Sequence, residues 1–463
     1  MAIEQRLVGY LKHLRFEDIP PKTVELSKRA ILDTLAVIMC GSGADGVDVL
    51  VDVVRQWAGR PECIVPVYGV RVPSPLASLA SATMARACDF DSVHEGAGIH
   101  ADATIVPAAL AAAQYRHVST GAVTTGRDLI VARTIGVDLQ CRLRLAGGKR
   151  TKEYFTSETY APIPVAAMGA KMLGLDEDRF FNAMGIAYSL CSGNPQGYLE
   201  GADTVRLQQG FAAQAGIIAL VLADRGLQGV REMLGVTYGL YATYTRGESD
   251  LEALTSGLGS EFRGDEVSLK VYPCCKFTHG AIVGAAQLME VHGIRVEQVR
   301  EVSITTSSRG YNLCGEPERK LAPQTVTDAQ FSFYYIVGAT LLNGKVTVAD
   351  FTREAIHDSS VLKQARKVQV SVDPEKDALP VMVVPVDLTM KTTDGKEFSV
   401  RVEGTKGDSK HPLGLDEIEA KVRQCARQAV KPLGGQKVDM LCELVRNLED
   451  VDDVTALLDC LVQ

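Results

Sequence analysis

Four titratable side chains lie close together in residues 86–107. They are Asp89, Asp91, His94 and His100, which we call the first cluster. Long alanine-rich apolar segments flank them on both sides, a pattern typical of buried helices. Because removing a charge from water without a partner is costly, these groups must pair with one another, with distant residues or with a ligand. Carboxylates beside histidines suit proton transfer near neutral pH.

Two other interpretations of the first cluster are open from the residues alone. In one, Asp91 and His94 cap adjoining helices and His100 is an ordinary core histidine. In the other the cluster binds a metal ion. Its spacing fits neither an i,i+4 helical pair nor a CxxC motif, so we expect no metal. Gly96 and Gly98 permit the sharp backbone path that convergence of the cluster requires.

A second group of chemically useful residues follows much later, in the sequence Lys-Val-Tyr-Pro-Cys-Cys-Lys-Phe-Thr-His at 270–279. We call it the second cluster. Thr278 is predicted to cap the apolar helix that follows. Lys270, Lys276 and His279 then lie near a helix N-terminus, which favours anions. A solvated linker with two ordinary lysines is the alternative interpretation.

The composition is that of an ordinary globular protein. The chain has 463 residues, enough for two or three domains, with 46% hydrophobic and 23% charged residues. Its net charge of −8 argues against a nucleic-acid partner. We expect no membrane span, because no apolar run reaches about 20 residues and the first residues lack a signal-peptide core. Eleven scattered cysteines favour a reducing, cytoplasmic location.

Helical periodicity dominates the first half of the chain. Apolar helices are predicted at 4–14, 22–40, 46–58, 76–88, 104–116, 126–145, 162–174, 177–191 and 205–224. No convincing strand alternation occurs before about residue 266. These observations predict a large all-α domain.

The pattern changes after residue 266. Strands are predicted at 302–306, at 368–372 and on both sides of the hairpin signal Thr393-Asp394-Gly395, with helices at 278–292, 328–343 and 347–354. Helical periodicity resumes from Leu415. The predicted fold class is mostly α, with an all-α helical domain built from residues 1–265 and 412–463 and a smaller α+β domain at 266–411.

Several motifs in this order resemble the MmgE/PrpD family. They are Asp-Phe-Asp-x-x-His-x(5)-His from Asp89, Lys-x-Tyr-Pro-x-Cys-x-x-x-His from Lys270, and Asp-Ala-Gln-Phe-Ser at 328–332, with further likeness at 31–36 and 406–412. The family includes 2-methylcitrate dehydratase, cis-aconitate decarboxylase and iminodisuccinate epimerase. The resemblance implies that the α+β domain is a lid, that the active site lies between the domains, and that the protein is a homodimer.

The resemblance also implies roles for particular residues. The candidate catalytic residues are Asp89, His100, Lys270, His279 and Tyr311. The candidate substrate-binding residues are Asp91, His94, Thr156, Arg206, Cys275 and Lys276. We expect His100 to be a general base oriented by Asp89, and Lys270 and Arg206 to hold carboxylates.

The chain departs from the decarboxylases of this family at several positions. It has Phe155-Thr156 where they carry a histidine after an aromatic residue, Val205 where they carry a lysine, and Cys275 where they carry a histidine. Their His-Pro-Ser is here His100-Ala101-Asp102. The loss of cations makes cis-aconitate a poor expected substrate.

The reactions of the family share one difficulty, the build-up of charge on a carbon beside a carboxylate. We therefore expect a cofactor-independent lyase, a dehydratase or decarboxylase, acting on a small carboxylic acid. Two alternatives are an isomerase or epimerase of a related acid, and a binding scaffold without turnover. One scaffold hosts several chemistries, so the substrate is not predicted.

Overall fold

The computed structural model describes residues 3–148, 151, 156, 158–379 and 381–463. Phe155 lies outside these described residues. The fold is mostly α-helical, as predicted, with small sheets. The helices of the first part of the chain are Ile3–His13, Pro21–Gly41, Val47–Trp57, Ser74–Ala87, Ala101–Thr120, Gly126–Ala146, Pro162–Met172, Glu177–Tyr188, Gln196–Glu200, Thr204–Asp224 and Leu240–Thr245. The later helices are His279–His292, Ser308–Cys314, Pro317–Lys320, Val326–Gln330, Phe333–Asn343, Ser359–Ala365, Pro374–Asp377, Leu415–Gln428, Gly435–Arg446 and Thr455–Cys460.

The helix Pro21–Gly41 forms where the apolar pattern extends almost all round. Proline at its first position fits because the missing N–H has no partner in a first helical turn. Its second half, from Ala30 to Gly41, is buried. A Cβ on Gly41 would lie 1.9 Å from the Met84 carbonyl oxygen. The absence of that atom lets this helix approach the helix Ser74–Ala87, which leads directly into the first cluster.

The helix Thr204–Asp224 packs against Ser74–Ala87, Pro162–Met172 and Glu177–Tyr188. Its 21 residues are long and apolar enough to cross a membrane, by the length and composition of an 18-residue window alone. The helix is not an uninterrupted apolar run, because Arg206, Gln208 and Gln209 lie within it. Since 56% of that window is buried inside the protein, the helix equally fits a packed core.

The strands occupy small sheets. They are β1 (Cys63–Ile64), β2 (Arg71–Val72), β3 (Val93–His94), β4 (Val267–Ser268), β5 (Val299–Thr306), β6 (Val368–Val372), β7 (Val386–Thr392) and β8 (Glu397–Val402). The largest sheet has the order β6-β5-β7-β8, with β5 and β6 parallel and the other pairs antiparallel. The predicted hairpin is confirmed, because β7 and β8 flank Thr393-Asp394-Gly395 and Gly395 has φ +84°.

Three details of the secondary-structure prediction are wrong. The part of the chain before residue 266, predicted to be all-α, contains strands β1, β2 and β3, each of only two residues and therefore without alternation. The predicted helix at 328–343 is divided into two helices because the Ser332 hydroxyl accepts a hydrogen bond from the Tyr335 N–H and begins a new helix. The predicted helix at 347–354 contains only the short 3₁₀ turn Val348–Asp350.

Among the described residues, buried apolar side chains form three clusters. The largest takes its members from residues 7–269 and 413–461, so both ends of the described chain contribute to it. The other two take theirs from residues between 274 and 390. Antiparallel pairing of β3 with β4 places His94 of the first cluster beside the segment that leads into the second cluster.

Candidate active site

A tight turn after the helix Ser74–Ala87 presents the first cluster. Asp89 has φ +48°, a left-handed conformation in which aspartate is one of the few tolerated non-glycine residues. Gly98 has φ +66° and closes a second turn, in which its N–H donates to the His94 carbonyl at 2.7 Å. The helix Ala101–Thr120 begins immediately after His100. These turns fold the cluster back on itself, and of the two glycines predicted to permit this path Gly98 has the positive φ.

Two cations bind the two carboxylates. One Arg86 nitrogen contacts Asp89 and lies 3.2 Å from Asp91 Oδ1. The Lys270 ammonium lies 3.0 Å from Asp89 Oδ2 and donates to the Asp89 carbonyl at 2.8 Å. All four side chains are almost completely buried. Asp89, Asp91 and Lys270 therefore meet in one charged cluster although about 180 residues separate the two segments.

His100 is the most accessible member of the first cluster, with 14% of its side chain accessible. Its Nδ1–H donates to the Ser92 carbonyl at 3.0 Å, and Asp91 Oδ2 lies 2.9 Å from the same nitrogen. Both oxygens can only accept, so Nδ1 carries the proton and Nε2 is the basic nitrogen of the neutral ring. The expectation that Asp89 orients His100 is wrong. Asp91 occupies that position because Asp89 is turned towards Lys270.

The Asp91 carboxylate is held in its charged form. Burial alone would raise its pKa, but the adjacent His100 and Arg86 charges outweigh burial, and the pKa lies below its usual range. Asp91 is therefore ionised at neutral pH and is suited to stabilise an imidazolium on His100.

The lowered pKa of Asp91 predicts an acid-dependent loss of stability. Its contribution is present above the pKa of the unfolded chain, about 3.9, and is lost as pH falls towards the lower pKa of the folded state. The difference in unfolding free energy between the wild type and Asp91→Asn should become smaller as pH falls below about 3.9. Urea unfolding at several pH values measures it, and a difference that grows on acidification would contradict it.

His279, in the second cluster, is neutral and buried. Burial and then the Lys276 and Lys270 charges hold the pKa of His279 well below its usual value. Its Nε2–H donates to the Cys274 carbonyl at 3.2 Å, and among the described residues Nδ1 has no hydrogen-bond partner. The ring also meets Tyr272 edge-on, with centroids 5.2 Å apart. His279 thus presents a bare acceptor nitrogen in a cationic environment.

One expectation about the second cluster is wrong. Thr278 does not cap the helix His279–His292, because a 3₁₀ turn precedes that helix and the Thr278 hydroxyl donates back to the Cys275 carbonyl at 2.8 Å. Lys276 has partners of its own, and its predicted role in substrate binding stays a prediction. Its ammonium donates to Thr405 Oγ1 at 2.9 Å and lies 3.3 Å from the Glu95 carboxylate.

Two candidate substrate-binding residues bond to groups outside the first cluster. Arg206 is buried and donates to the Asp45 carbonyl and to Thr327 Oγ1, both at 3.0 Å. The Thr156 hydroxyl donates to Gln208 Oε1 at 3.3 Å. In the described structure these contacts hold neighbouring segments together, and the roles assigned to both residues stay predictions.

The remaining candidates are His94, Cys275 and Tyr311, and each has different neighbours. His94 Nδ1 accepts the Ala97 N–H at 3.0 Å. The Cys275 pKa is lowered by a hydrogen bond from Cys314, against the effect of burial. Tyr311 is half-buried on the helix Ser308–Cys314, and no described contact joins it to the carboxylates. Their predicted roles are likewise untested.

The sequence interpretation missed Arg86, which contacts both carboxylates. The signal was available, because Arg86 lies three residues before Asp89, the spacing of an ion pair on one helical face. It also missed the layer beneath His100. There Asp102 accepts from the Ser92 hydroxyl at 2.7 Å and from Arg133 at 2.8 and 3.2 Å.

Comparison with known proteins finds similarity along nearly the whole chain. Residues 5–252 match the MmgE/PrpD N-terminal domain, and residues 272–450 match the MmgE/PrpD C-terminal domain. A cis-aconitate decarboxylase of Aspergillus terreus is 26% identical, covering 99% of this chain and 96% of the relative. The Homo sapiens cis-aconitate decarboxylase is 25% identical, covering 98% and 94%. A cis-aconitate decarboxylase-like protein, oryM, of Aspergillus oryzae is 24% identical, covering 98% and 97%.

Proposed function

Because this chain belongs to the MmgE/PrpD family, we propose that it is a cofactor-independent lyase acting on a small carboxylic acid through a carbanion or enolate. Relatives at 24% to 26% identity are named cis-aconitate decarboxylases, which are lyases. The observation that carries the proposal is the arrangement of His100, whose proton-bearing Nδ1 faces Ser92 and Asp91.

His100 is proposed to move the proton. In a dehydration, Nε2 removes a proton from the carbon beside the substrate carboxylate, and the hydroxyl group then leaves the neighbouring carbon as water, taking that proton from the His100 imidazolium. In a decarboxylation, CO2 leaves first and the carbanion takes its proton from the imidazolium form of His100. In both cases the imidazolium lies against the ionised Asp91.

The charges around His100 support an anionic intermediate. Arg86 and Lys270 carry two positive charges and Asp89 and Asp91 carry two negative charges, so their sum is zero. In a dehydration, protonation of His100 adds one positive charge beside the substrate at the moment when the enolate gains its negative charge. This timing favours the transition state over the bound substrate.

Lys270 is proposed to bind a substrate carboxylate. An ammonium has three N–H donors, and Asp89 engages Lys270 through its carbonyl and its carboxylate, so one donor is left for the substrate within the described structure. Arg86 Nε is a second donor, since no described residue accepts a hydrogen bond from it. Two donors at one end of the substrate would orient the carbon that His100 attacks.

The proposed substrate differs from cis-aconitate. The positions where this chain departs from the decarboxylases carry Thr156, Val205 and Cys275, none of which is a cation at neutral pH. A tricarboxylate would place its further carboxylates near these neutral groups. We propose an acid with fewer carboxylates, or one whose second polar group needs a hydrogen-bond partner in place of a cation.

The predicted assembly is also part of the proposal. We propose that residues 266–411 form a lid on a helical domain of residues 1–265 and 412–463, and that the protein is a homodimer. The separate apolar clusters support the division, and the contact between Lys270 and Asp89 supports a site between the two parts. Closure of the lid would exclude water from the site.

One experiment tests the proposed function. The protein is incubated in D2O with a panel of di- and tricarboxylates, hydroxy acids and imino acids, and the reactions are followed by NMR. We expect one acid to lose water or CO2, and we expect the His100→Gln variant to lose this activity. Solvent deuterium in recovered substrate without elimination would instead indicate an epimerase. Binding without turnover across the panel would indicate a scaffold.

A further inference from the structure

Lys421 is a buried lysine that contacts both halves of the candidate active site. It lies on the helix Leu415–Gln428 and is 6% exposed. Its ammonium donates to Asp33 Oδ1 at 2.7 Å, to the Phe90 carbonyl at 2.8 Å and to the Lys270 carbonyl at 3.0 Å. Since an ammonium has three N–H donors, each one is used by a different segment of the chain.

Two of these three acceptors belong to the backbone of the site. The Phe90 carbonyl lies between Asp89 and Asp91, and Lys270 is the residue whose ammonium contacts Asp89. Lys270 in turn donates to the Asp89 carbonyl at 2.8 Å. Consecutive carbonyls in the left-handed turn are therefore each held by a buried lysine, the first by Lys270 and the second by Lys421.

We propose that Lys421 is a positioning residue that fixes the first cluster against Lys270. Lys421 donates to the Phe90 carbonyl, which lies between the two aspartates, and to the Lys270 carbonyl. These two carbonyls are about 180 residues apart in the sequence. Asp33, fully buried on the helix Pro21–Gly41, holds the ammonium from its other side. The Phe90 ring, with its centroid 3.8 Å from Lys421 Nζ, adds a cation–π contact. The inference rests on the proposed function only where it predicts an effect on turnover.

Lys421→Met tests the inference, because methionine keeps the apolar stem and removes all three donors. The first readout needs no substrate. Lys270 is 1% exposed, so we expect it to resist acylation by acetic anhydride in the wild type. In folded Lys421→Met, Lys270 should be acylated several-fold faster, as measured by peptide mass spectrometry. The second readout is turnover, which should fall by about 10²-fold, as expected for reacting groups misplaced by about 1 Å.

Lys28→Met is the matched control. Lys28 is also 6% exposed and also pairs with carboxylates, those of Glu25 and Glu449, but it has no described contact with either cluster. Its loss should leave Lys270 protected and kcat unchanged. Asp33→Asn keeps an oxygen acceptor for Lys421 and should likewise keep Lys270 protected. If Lys421→Met does not fold, Lys421→Gln, which has two donors of shorter reach, takes its place in both measurements.

The outcomes separate this inference from the proposed function. Unchanged acylation of Lys270 together with unchanged turnover in folded Lys421→Met would overturn the positioning role. If Lys421→Met is unfolded, unchanged acylation and unchanged turnover in Lys421→Gln would overturn the positioning role. Faster acylation in a protein whose wild type turns over no acid in the panel would support the positioning role and overturn the lyase proposal.

Discussion

His100→Gln is expected to lower turnover by at least about 10²-fold while the protein stays folded, because a positioned acid or base contributes at least that much. The glutamine amide can donate to the Ser92 carbonyl as Nδ1 does, so the local hydrogen bond survives. It cannot take a proton at neutral pH. One preparation, measured for its melting temperature and its rate, gives both results.

The control for this prediction is a histidine far from the cluster. His292 is exposed and stacks on Phe398, so His292→Gln should change neither the rate nor the fold. If His100 is only a core histidine, His100→Gln would lower the unfolding free energy by roughly 0.5–3 kcal/mol and leave the folded enzyme active. Full activity in a folded His100→Gln protein would remove His100 from the chemistry.

A double variant tests the partnership with Asp91. If Asp91 acts by stabilising the imidazolium, Asp91→Asn should also lower turnover, and adding it to His100→Gln should cost little more. Additive losses would mean that Asp91 acts independently. Asp89→Asn is expected to behave differently, because Asp89 contacts Lys270 and Arg86 and has no described contact with His100.

The helices were predictable because apolar residues at a 3.6-residue period also pack the core. The predicted range 205–224, for example, differs by one residue from the observed helix Thr204–Asp224. Two-residue strands such as β3 were not predictable, since a period of two cannot be recognised in two residues. The Ser332 side chain replaces a backbone hydrogen-bond partner, so one helix ends before it and the next begins after it. Apolar periodicity alone does not predict this break.

The clusters were predictable from residue types, but their partners were not. Whether Asp89 or Asp91 faces His100 depends on the left-handed turn at Asp89, which residue preferences alone do not specify. The sequence gives a weaker indication that Lys421 is buried and paired. It lies on the face of its helix that carries Ile418 and Cys425, where a lysine must find a buried acceptor. The sequence does not say which acceptor, because that depends on packing between distant segments.

The largest expected effect on stability is at Asp102, which is fully buried beneath His100. It accepts two hydrogen bonds from Arg133, whose side chain is itself 1% exposed. Asp102→Asn keeps the shape and leaves the buried arginine without a counter-charge. We expect the unfolding free energy to fall by roughly 3–5 kcal/mol, as is typical when one partner of a buried pair is removed. Urea unfolding at pH 7 measures the change.

Removing both partners should cost less than removing one. In Asp102→Leu/Arg133→Met no unpaired charge is left, so the double variant should be more stable than Asp102→Leu alone. The exposed pair of Asp178 and Arg231, 2.7 Å apart against 2.8 Å for Asp102 and Arg133, is the control, and Asp178→Asn should cost less than about 1 kcal/mol. If the two losses at Asp102 and Arg133 simply add, the pair is not coupled and the stability of this region comes from apolar packing. If the two losses are strongly coupled, the ion pair stabilises the fold. The same ion pair would then also fix the position of Ser92, whose hydroxyl donates to Asp102.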